Sequence, residues 1–344
     1  VEAMAATTDE AGFTTALAGL GEACRACHTK YRRPKELLDL TKRFFTRSKL
    51  LGLAGLVLLG GAVFWFLSAP RPLGPEAIPP HQADLANGAL MYTIGGCINC
   101  HRPDPADTAA DAGLPTGGAP LKTPIGTLFP PNLTPDAESG IGQWSELDFV
   151  NALERGLARN GVHAIPAFPY TSYALMRTED VLDIRSYLMT LKPVKAADRP
   201  DDIPIAFLLR RGVGLWNHIA LPTTKWRPDP QQTAGWNRGA YLVNGPGHCA
   251  QCHTPRTVFM TLDETRAFAG GPHPEGDGKV PSLRGLIERQ RYKDAKDLVS
   301  AMQFGETFGY DKLSSGGMGA VQTNLSKLPE ADLQAIAEYL VSLK

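Results

Sequence analysis

Cys97-Ile98-Asn99-Cys100-His101 and, 152 residues further on, Cys249-Ala250-Gln251-Cys252-His253 decide the fold of this chain. A third copy of the pattern, Cys24-Arg25-Ala26-Cys27-His28, stands near its start, and the three copies use all six cysteines. Cys-x-x-Cys-His is the attachment signature of c-type haem. Two thiols separated by two residues match the spacing of the porphyrin vinyl groups, and the next side chain then faces the iron. Zinc binding and redox-active dithiols are the competing chemistries. A structural zinc site takes four protein ligands, often from two Cys-rich knuckles, and a dithiol enzyme has no use for a repeated histidine.

The bulk numbers narrow the field around these motifs. A length of 344 residues suggests two or three domains. Lys and Arg total 35, as do Asp and Glu, so a nucleic-acid partner is excluded on charge. With 28 prolines and 35 glycines the chain is loop-rich, as a protein wrapped around large flat cofactors would be. If every cysteine is thioether-linked no disulfide remains, and cysteine usage is silent on redox compartment. Haem attachment is not silent: in bacteria it takes place on the periplasmic side.

Residues 50–67, LLGLAGLVLLGGAVFWFL, carry no charge. Eighteen residues at ~1.5 Å rise reach roughly 27 Å, enough for a hydrocarbon core. Phe64, Trp65 and Phe66 suit an interfacial aromatic belt. The preceding stretch from Lys30 to Lys49 holds eight Lys or Arg against Glu36 and Asp39, which predicts a cytoplasmic flank. Everything after Ser68 is then periplasmic, on a bacterial inner membrane. Pro70 to Pro80 reads as a semi-rigid spacer within a stalk at 70–82.

The two downstream motifs open two copies of one unit. IRSYLMTLK (184–192) matches IAEYLVSLK (336–344) at the same offset, and DFVNALERG (148–156) matches DLVSAMQFG (297–305). Val181, Ile184, Leu188 and Leu191 mirror Leu333, Ile336, Leu340 and Leu343 as one apolar helical stripe. Short helices are expected before each motif, at 86–90 and 237–241. Ser145 with Asp148, and Thr178, are the expected helix caps. Helix, haem motif, long loop, middle helix, ligand loop and closing helix is the plan of a class I cytochrome c domain. The expected fold is therefore all-α. Its parts are a fragment at 1–40, a basic flank and transmembrane helix at 41–69, domains at 83–195 and 234–344, and a linker at 196–233 packed between them.

His101 and His253 each supply one axial iron ligand. A methionine opposite would give a high-potential haem for electron transfer. In the second unit Met318, in Ser314-Ser315-Gly316-Gly317-Met318-Gly319, is the candidate; Met260 follows His253 too closely and Met302 lies on a core stripe. In the first unit Met176 is better placed than Met91 or Met189. The offset of 152 aligns Met318 with Pro166 and Met176 with Leu328, so the two ligand loops would differ.

Several segments carry a family resemblance: TPIGTLFPPNLTPD (123–136), GIGQWS (140–145), PAFPY (166–170), WNRGAYLV (236–243) and HCAQCHTPR (248–256). They resemble the cytochrome c subunits of membrane-bound alcohol, gluconate, sorbitol and fructose dehydrogenases, over about residues 83–344. Familiar members carry three haem domains, one more than this chain. Many place the axial methionine in a Pro-Ala-Met-Pro-Tyr segment; here that position is Phe168, and other members place the methionine a few residues later. Separately, GLGEACRACHTKYR (19–32) is similar to the closing helix of cytochrome c-prime, a four-helix bundle. The chain starts in the middle of that pattern, as a truncated fusion or a mis-set start would.

The resemblance implies an electron-transfer subunit with no catalytic residues. It would draw on a periplasmic dehydrogenase and deliver to quinone or a terminal oxidase, through two haems c bound at Cys97, Cys100, Cys249 and Cys252. The metal ligands would be His101, Met176, His253 and Met318. One membrane helix puts Cys24, Cys27 and His28 on the face where haem is not attached, so a third haem requires a different topology. A dihaem peroxidase with a labile ligand at Met176, and gas binding by the N-terminal segment, are the alternatives.

Overall fold

The predicted apolar stripes are buried apart from their last members, Leu191 and Leu343, which are half-buried and lie beyond the helix ends. Val181, Ile184 and Leu188 on one helix, and Leu333, Ile336 and Leu340 on another, are all less than a tenth exposed. The computed structural model describes residues 9–31, 47–107, 110–196, 198–204, 206–274, 278–305 and 317–344. Most of the basic flank and residues 314–316 of the ligand loop lie outside them.

The described residues fall into two units, residues up to 64 and residues from 65 onward. The first contains α1 (Glu10–Tyr31), which buries none of its residues. Cys24, Cys27 and His28 lie on it, all exposed. An apolar helix, α2 (Arg47–Leu67), runs to the start of the second unit. It contains the one stretch among the described residues long and apolar enough to cross a membrane, Lys49–Leu67, with mean hydropathy 2.3 and none of it buried.

The larger unit is mostly helical and repeats one order of elements. The first run is α3 (Leu85–Ile94), the motif helix α4 (Cys97–His101), the hairpin β1 (Leu121–Thr123) and β2 (Gly126–Leu128), α5 (Glu146–Arg155), α6 (Tyr170–Tyr173) and α7 (Thr178–Leu188). After α8 (Ala206–Ala220) comes the second run: α9 (Ala234–Asn244), the motif helix α10 (Ala250–His253), β3 (Gly271–Pro272) with β4 (Lys279–Val280), α11 (Ala295–Phe304), α12 (Gly317–Leu325) and α13 (Glu330–Ser342). Both hairpins are antiparallel. The all-α expectation holds apart from these short ribbons.

Local chemistry sets the helix boundaries. Ser145 and Asp148 form the predicted capping box at α5. Thr178 does not cap α7: the helix begins on it, and its hydroxyl donates to Glu154 at 3.0 Å. Glu154 is buried and also pairs with Lys225, so the hydroxyl helps to satisfy a carboxylate removed from water. In both runs the opening helix crosses the closing one, α3 on α7 and α9 on α13. A glycine stands at each crossing. A Cβ on Gly88 would sit 2.1 Å from the Asp183 carbonyl oxygen, and one on Gly239 would sit 1.9 Å from that of Ala335.

The proline-rich segment does not stand clear of the body. Leu73 N–H donates to Asn151 Oδ1 at 2.7 Å, Arg155 Nε donates to the Arg71 carbonyl at 3.3 Å, and Leu73 and Ile78 pack on the core. Proline removes donors but leaves the segment's carbonyls, and α5 supplies donors to those of Arg71 and Leu73. A single hydrophobic cluster spans both runs, from Met91 and Phe149 to Met302 and Ile336.

Candidate functional site

Each motif histidine is held from two sides by the same two devices. The His101 carbonyl accepts from Gly117 N–H at 2.8 Å, and its ring Nδ1 donates to the Pro131 carbonyl at 2.7 Å. In the second run Gly270 N–H donates to the His253 carbonyl at 2.8 Å, and His253 Nδ1 donates to Pro281 at 2.8 Å. Gly117 and Gly270 adopt φ of 75° and 73°, in the left-handed region. A Cβ on either would come within 2.5 Å of the neighbouring backbone, so the strand that returns under the motif needs glycine there.

Donation from Nδ1 fixes the tautomer and leaves the Nε2 lone pair for a metal. Burial holds both imidazoles below the ordinary histidine range, against the raising pull of the proline carbonyls. They are therefore neutral at pH 7, the form that ligates.

The thiols are unlike those of a redox dithiol. Burial, reinforced by the second thiol of each pair, pushes Cys97 and Cys249 up to about 12, whereas reactive dithiols need a lowered value. Cys100 and Cys252 are exposed. Among the described residues no group of three or more His, Cys, Asp or Glu is arranged to hold a metal ion. Two thiols and one oriented, neutral imidazole per motif fit a covalently attached haem.

The methionines differ in placement. Met176 is fully buried, its N–H donating to the Tyr173 carbonyl at 2.9 Å just before α7. It also reaches the second run, since a Cβ on Gly245 would lie 3.4 Å from Met176 Cγ. Met318 is half-buried in the first turn of α12. Met91 and Met302 are core residues, and Met260 is 64% exposed. Phe168 packs its ring 5.6 Å from that of Tyr173.

The two motif turns also meet. His248 Nε2 and Tyr173 Oη both donate to the Gly95 carbonyl, each at 3.2 Å. Their rings stand edge to face at 5.8 Å. Gln251, inside the second motif, donates to Thr171 at 3.0 Å and Ser172 at 2.9 Å on α6. In the other direction, a Cβ on Gly96 would lie 3.3 Å from Asn324 of α12. Ser172 and Asn324 are themselves 152 residues apart, so each run sets the same position against the other's motif. Sequence reasoning missed His248, Tyr173, Gln251 and Asn324. The signal was an insertion: Gly88 precedes its motif by nine residues and Gly239 precedes its motif by ten. The added residue falls in Gly245-Pro246-Gly247-His248, the turn that meets Gly95.

Comparisons with known proteins agree with this chemistry. A family model for cytochrome c matches residues 85–192. A diheme cytochrome c-type protein of Cereibacter sphaeroides is 38% identical over 294 residues, 86% of this chain and 97% of that protein. The gluconate 2-dehydrogenase cytochrome c subunit of Pantoea cypripedii is 33% identical, over 76% of this chain and 60% of its own length. The cytochrome c subunit of the quinone alcohol dehydrogenase of Gluconacetobacter polyoxogenes is 34% identical, over 76% of this chain and 56% of that subunit. The chain thus spans less than two thirds of these two dehydrogenase subunits.

Proposed function

The chain belongs to the dihaem c-type cytochromes, with haem c as its cofactor, and on that premise we propose that it is the membrane-anchored carrier between a periplasmic dehydrogenase and quinone or a terminal oxidase. Its role is electron transfer rather than substrate chemistry. The observation that carries this reading is the duplicated clamp on His101 and His253. One such histidine has many uses; two, each following a Cys-x-x-Cys pair, serve two equivalent cofactors.

When bound, haem c supplies a one-electron iron couple. The protein's part is to hold, orient and exclude water. Cys97 and Cys100, and Cys249 and Cys252, would be the attachment thiols; His101 and His253 would bind iron through Nε2, the nitrogen left free by the Nδ1 bonds. Met176 and Met318 would be the further iron ligands, and a methionine ligand would raise the potential. Both runs are then class I cytochrome c domains, in contact through their motif turns. Residues 50–67 cross the inner membrane and put both domains in the periplasm. Cys24, Cys27 and His28 lie on the far side and carry no haem. The dehydrogenase relatives support a dehydrogenase as electron donor.

Pyridine haemochrome analysis of the purified full chain should give two haems, unchanged in Cys24→Ser/Cys27→Ser; a value below two overturns the reading. In the ferric spectrum, Met176→Ala and Met318→Ala should each remove half of the methionine-to-iron charge-transfer band and lower one of two potentials. If Met176→Ala leaves band and potentials unchanged, that haem has an open or different sixth site and the dihaem-enzyme alternative gains.

A further inference from the structure

One apolar surface of the larger unit is formed by residues outside those assigned to the haem sites. Helix α8 lies in the segment expected only as a linker. One of its stripes, Arg211, Gly214 and His218, holds the chain where it leaves the apolar helix. The Arg211 guanidinium lies 4.1 Å over the Trp65 ring and donates to the Trp65 carbonyl. His218 Nε2 donates to the Leu67 carbonyl at 2.8 Å. A Cβ on Gly214 would lie 2.3 Å from the Ser68 carbonyl oxygen, so glycine allows the close approach.

At 100° per residue the next sector of α8 carries Leu215 and Ile219, with Trp216 beyond them. Leu215 is 41% and Ile219 60% exposed. Trp216 Nε1 donates to the Phe259 carbonyl at 2.8 Å and so ties in a second apolar element. That element is the tip Val258-Phe259-Met260, exposed by 93%, 67% and 64%. The tip is braced. Thr257 N–H donates to the Thr261 carbonyl at 2.9 Å, their hydroxyls bond at 2.8 Å, and Arg256 anchors the base to Gln251. Three consecutive large apolar side chains fixed in water are costly unless something covers them.

We propose that the outer face of α8 and the 257–261 tip form a platform that enters the headgroup and acyl boundary of the bilayer, seating the haem-bearing body on the membrane. The occupant is lipid because of where the surface lies. It borders the stripe that grips Trp65, Leu67 and Ser68, the residues at which a membrane-spanning chain leaves the hydrocarbon. Leu, Ile and Trp on one sector with Arg on the next is the composition of an interfacial helix. The platform rests on the reading that residues 50–67 cross the membrane.

The test uses the full chain in native membranes, with a benzophenone amino acid placed singly at Phe259, at Ile219 and, as a control, at the exposed Gln334. After irradiation, mass spectrometry should find phospholipid adducts at 259 and 219 and none at 334. No lipid adduct at 259 and 219, or cross-links there to protein alone, overturns the platform. Haem content of each variant checks that it has folded. Carbonate extraction of the same membranes reads the anchor separately: protein retained without lipid adducts means that the anchor stands and the platform falls. Protein released by carbonate means that the anchor reading falls, and the platform, which rests on it, falls with it.

Discussion

Gly88 and Gly239 show how little room the fold leaves at single positions. At each, the opening helix of a run crosses the closing helix so closely that a Cβ would enter a backbone carbonyl, at 2.1 Å and 1.9 Å. Backbone cannot give way as a flexible side chain can, so the helices must separate. Gly239→Ala should therefore destabilise by about 2–4 kcal/mol, more than the 1–3 kcal/mol usual for overpacking. An ordinary helix-interior Gly→Ala change would instead stabilise. Denaturant unfolding of the haem-loaded protein checks this, and a neutral or stabilising result would mean that the crossing is looser than described. These glycines were visible in the sequence only as members of matching helices. Nothing in a helical pattern reveals which glycine marks a crossing, because that depends on the partner's backbone.

At the scale of elements, the opening, middle and closing helices of each run were legible in the sequence; α6 and α12, which stand where ligand loops were expected, and α8 in the linker were not. Periodicity fixed α7 and α13, since their stripes must face a core, and Ser145 with Asp148 announced the start of α5. The linker concealed α8, whose described larger apolar residues are divided between half-buried Val213 and Trp216 and exposed Leu209, Leu215 and Ile219, so no buried stripe announces it. The proline-rich segment read as a spacer because its composition says only that it is extended, not that Asn151 would bond to it. Polar ties of this kind lock elements together. Asp183 on α7 accepts from the Asp84 N–H at 2.8 Å, from His81 Nε2 at 2.6 Å and from Asn87 Nδ2 at 2.8 Å, and so binds α7 to the start of α3. Burial alone would raise its carboxyl, but these donors together hold it below the ordinary value. A depressed folded value stabilises above the unfolded pKa, about 4. That contribution is lost as pH falls below about 4. Asp183→Asn should lower stability near neutral pH by about 1–3 kcal/mol, the cost of a broken buried bond network. It should also flatten the acid limb of the stability profile. An unchanged acid limb in the variant would place the acid sensitivity elsewhere.

Across the larger unit, the two runs cannot be treated as independent beads. Their hydrophobic clusters are continuous, their motif turns share the Gly95 carbonyl, and a buried polar link crosses between them. Tyr241 of the second run donates to Asp180 of the first and accepts from the Arg177 N–H at 3.2 Å. Trp226 joins the same contact, its N–H on the Leu175 carbonyl at 3.0 Å and its ring 5.3 Å from Tyr241. The duplication was plain in the sequence, but its closeness was not. A repeat offset describes what each unit is like and says nothing of what it touches. Domains joined by a polar, solvated interface unfold separately, whereas a shared apolar core makes unfolding of one half expose the other. Calorimetry of the haem-loaded full chain in detergent should therefore give one endotherm for residues 65–344. Tyr241→Phe removes the hydroxyl and leaves the Arg177 N–H and the Asp180 carboxylate each short of a partner. It should lower that single transition by about 1–3 kcal/mol without splitting it. Two endotherms in the unaltered protein would mean that the halves fold alone. The motif contact would then be an incidental touch rather than the joint that holds the two redox centres in fixed register.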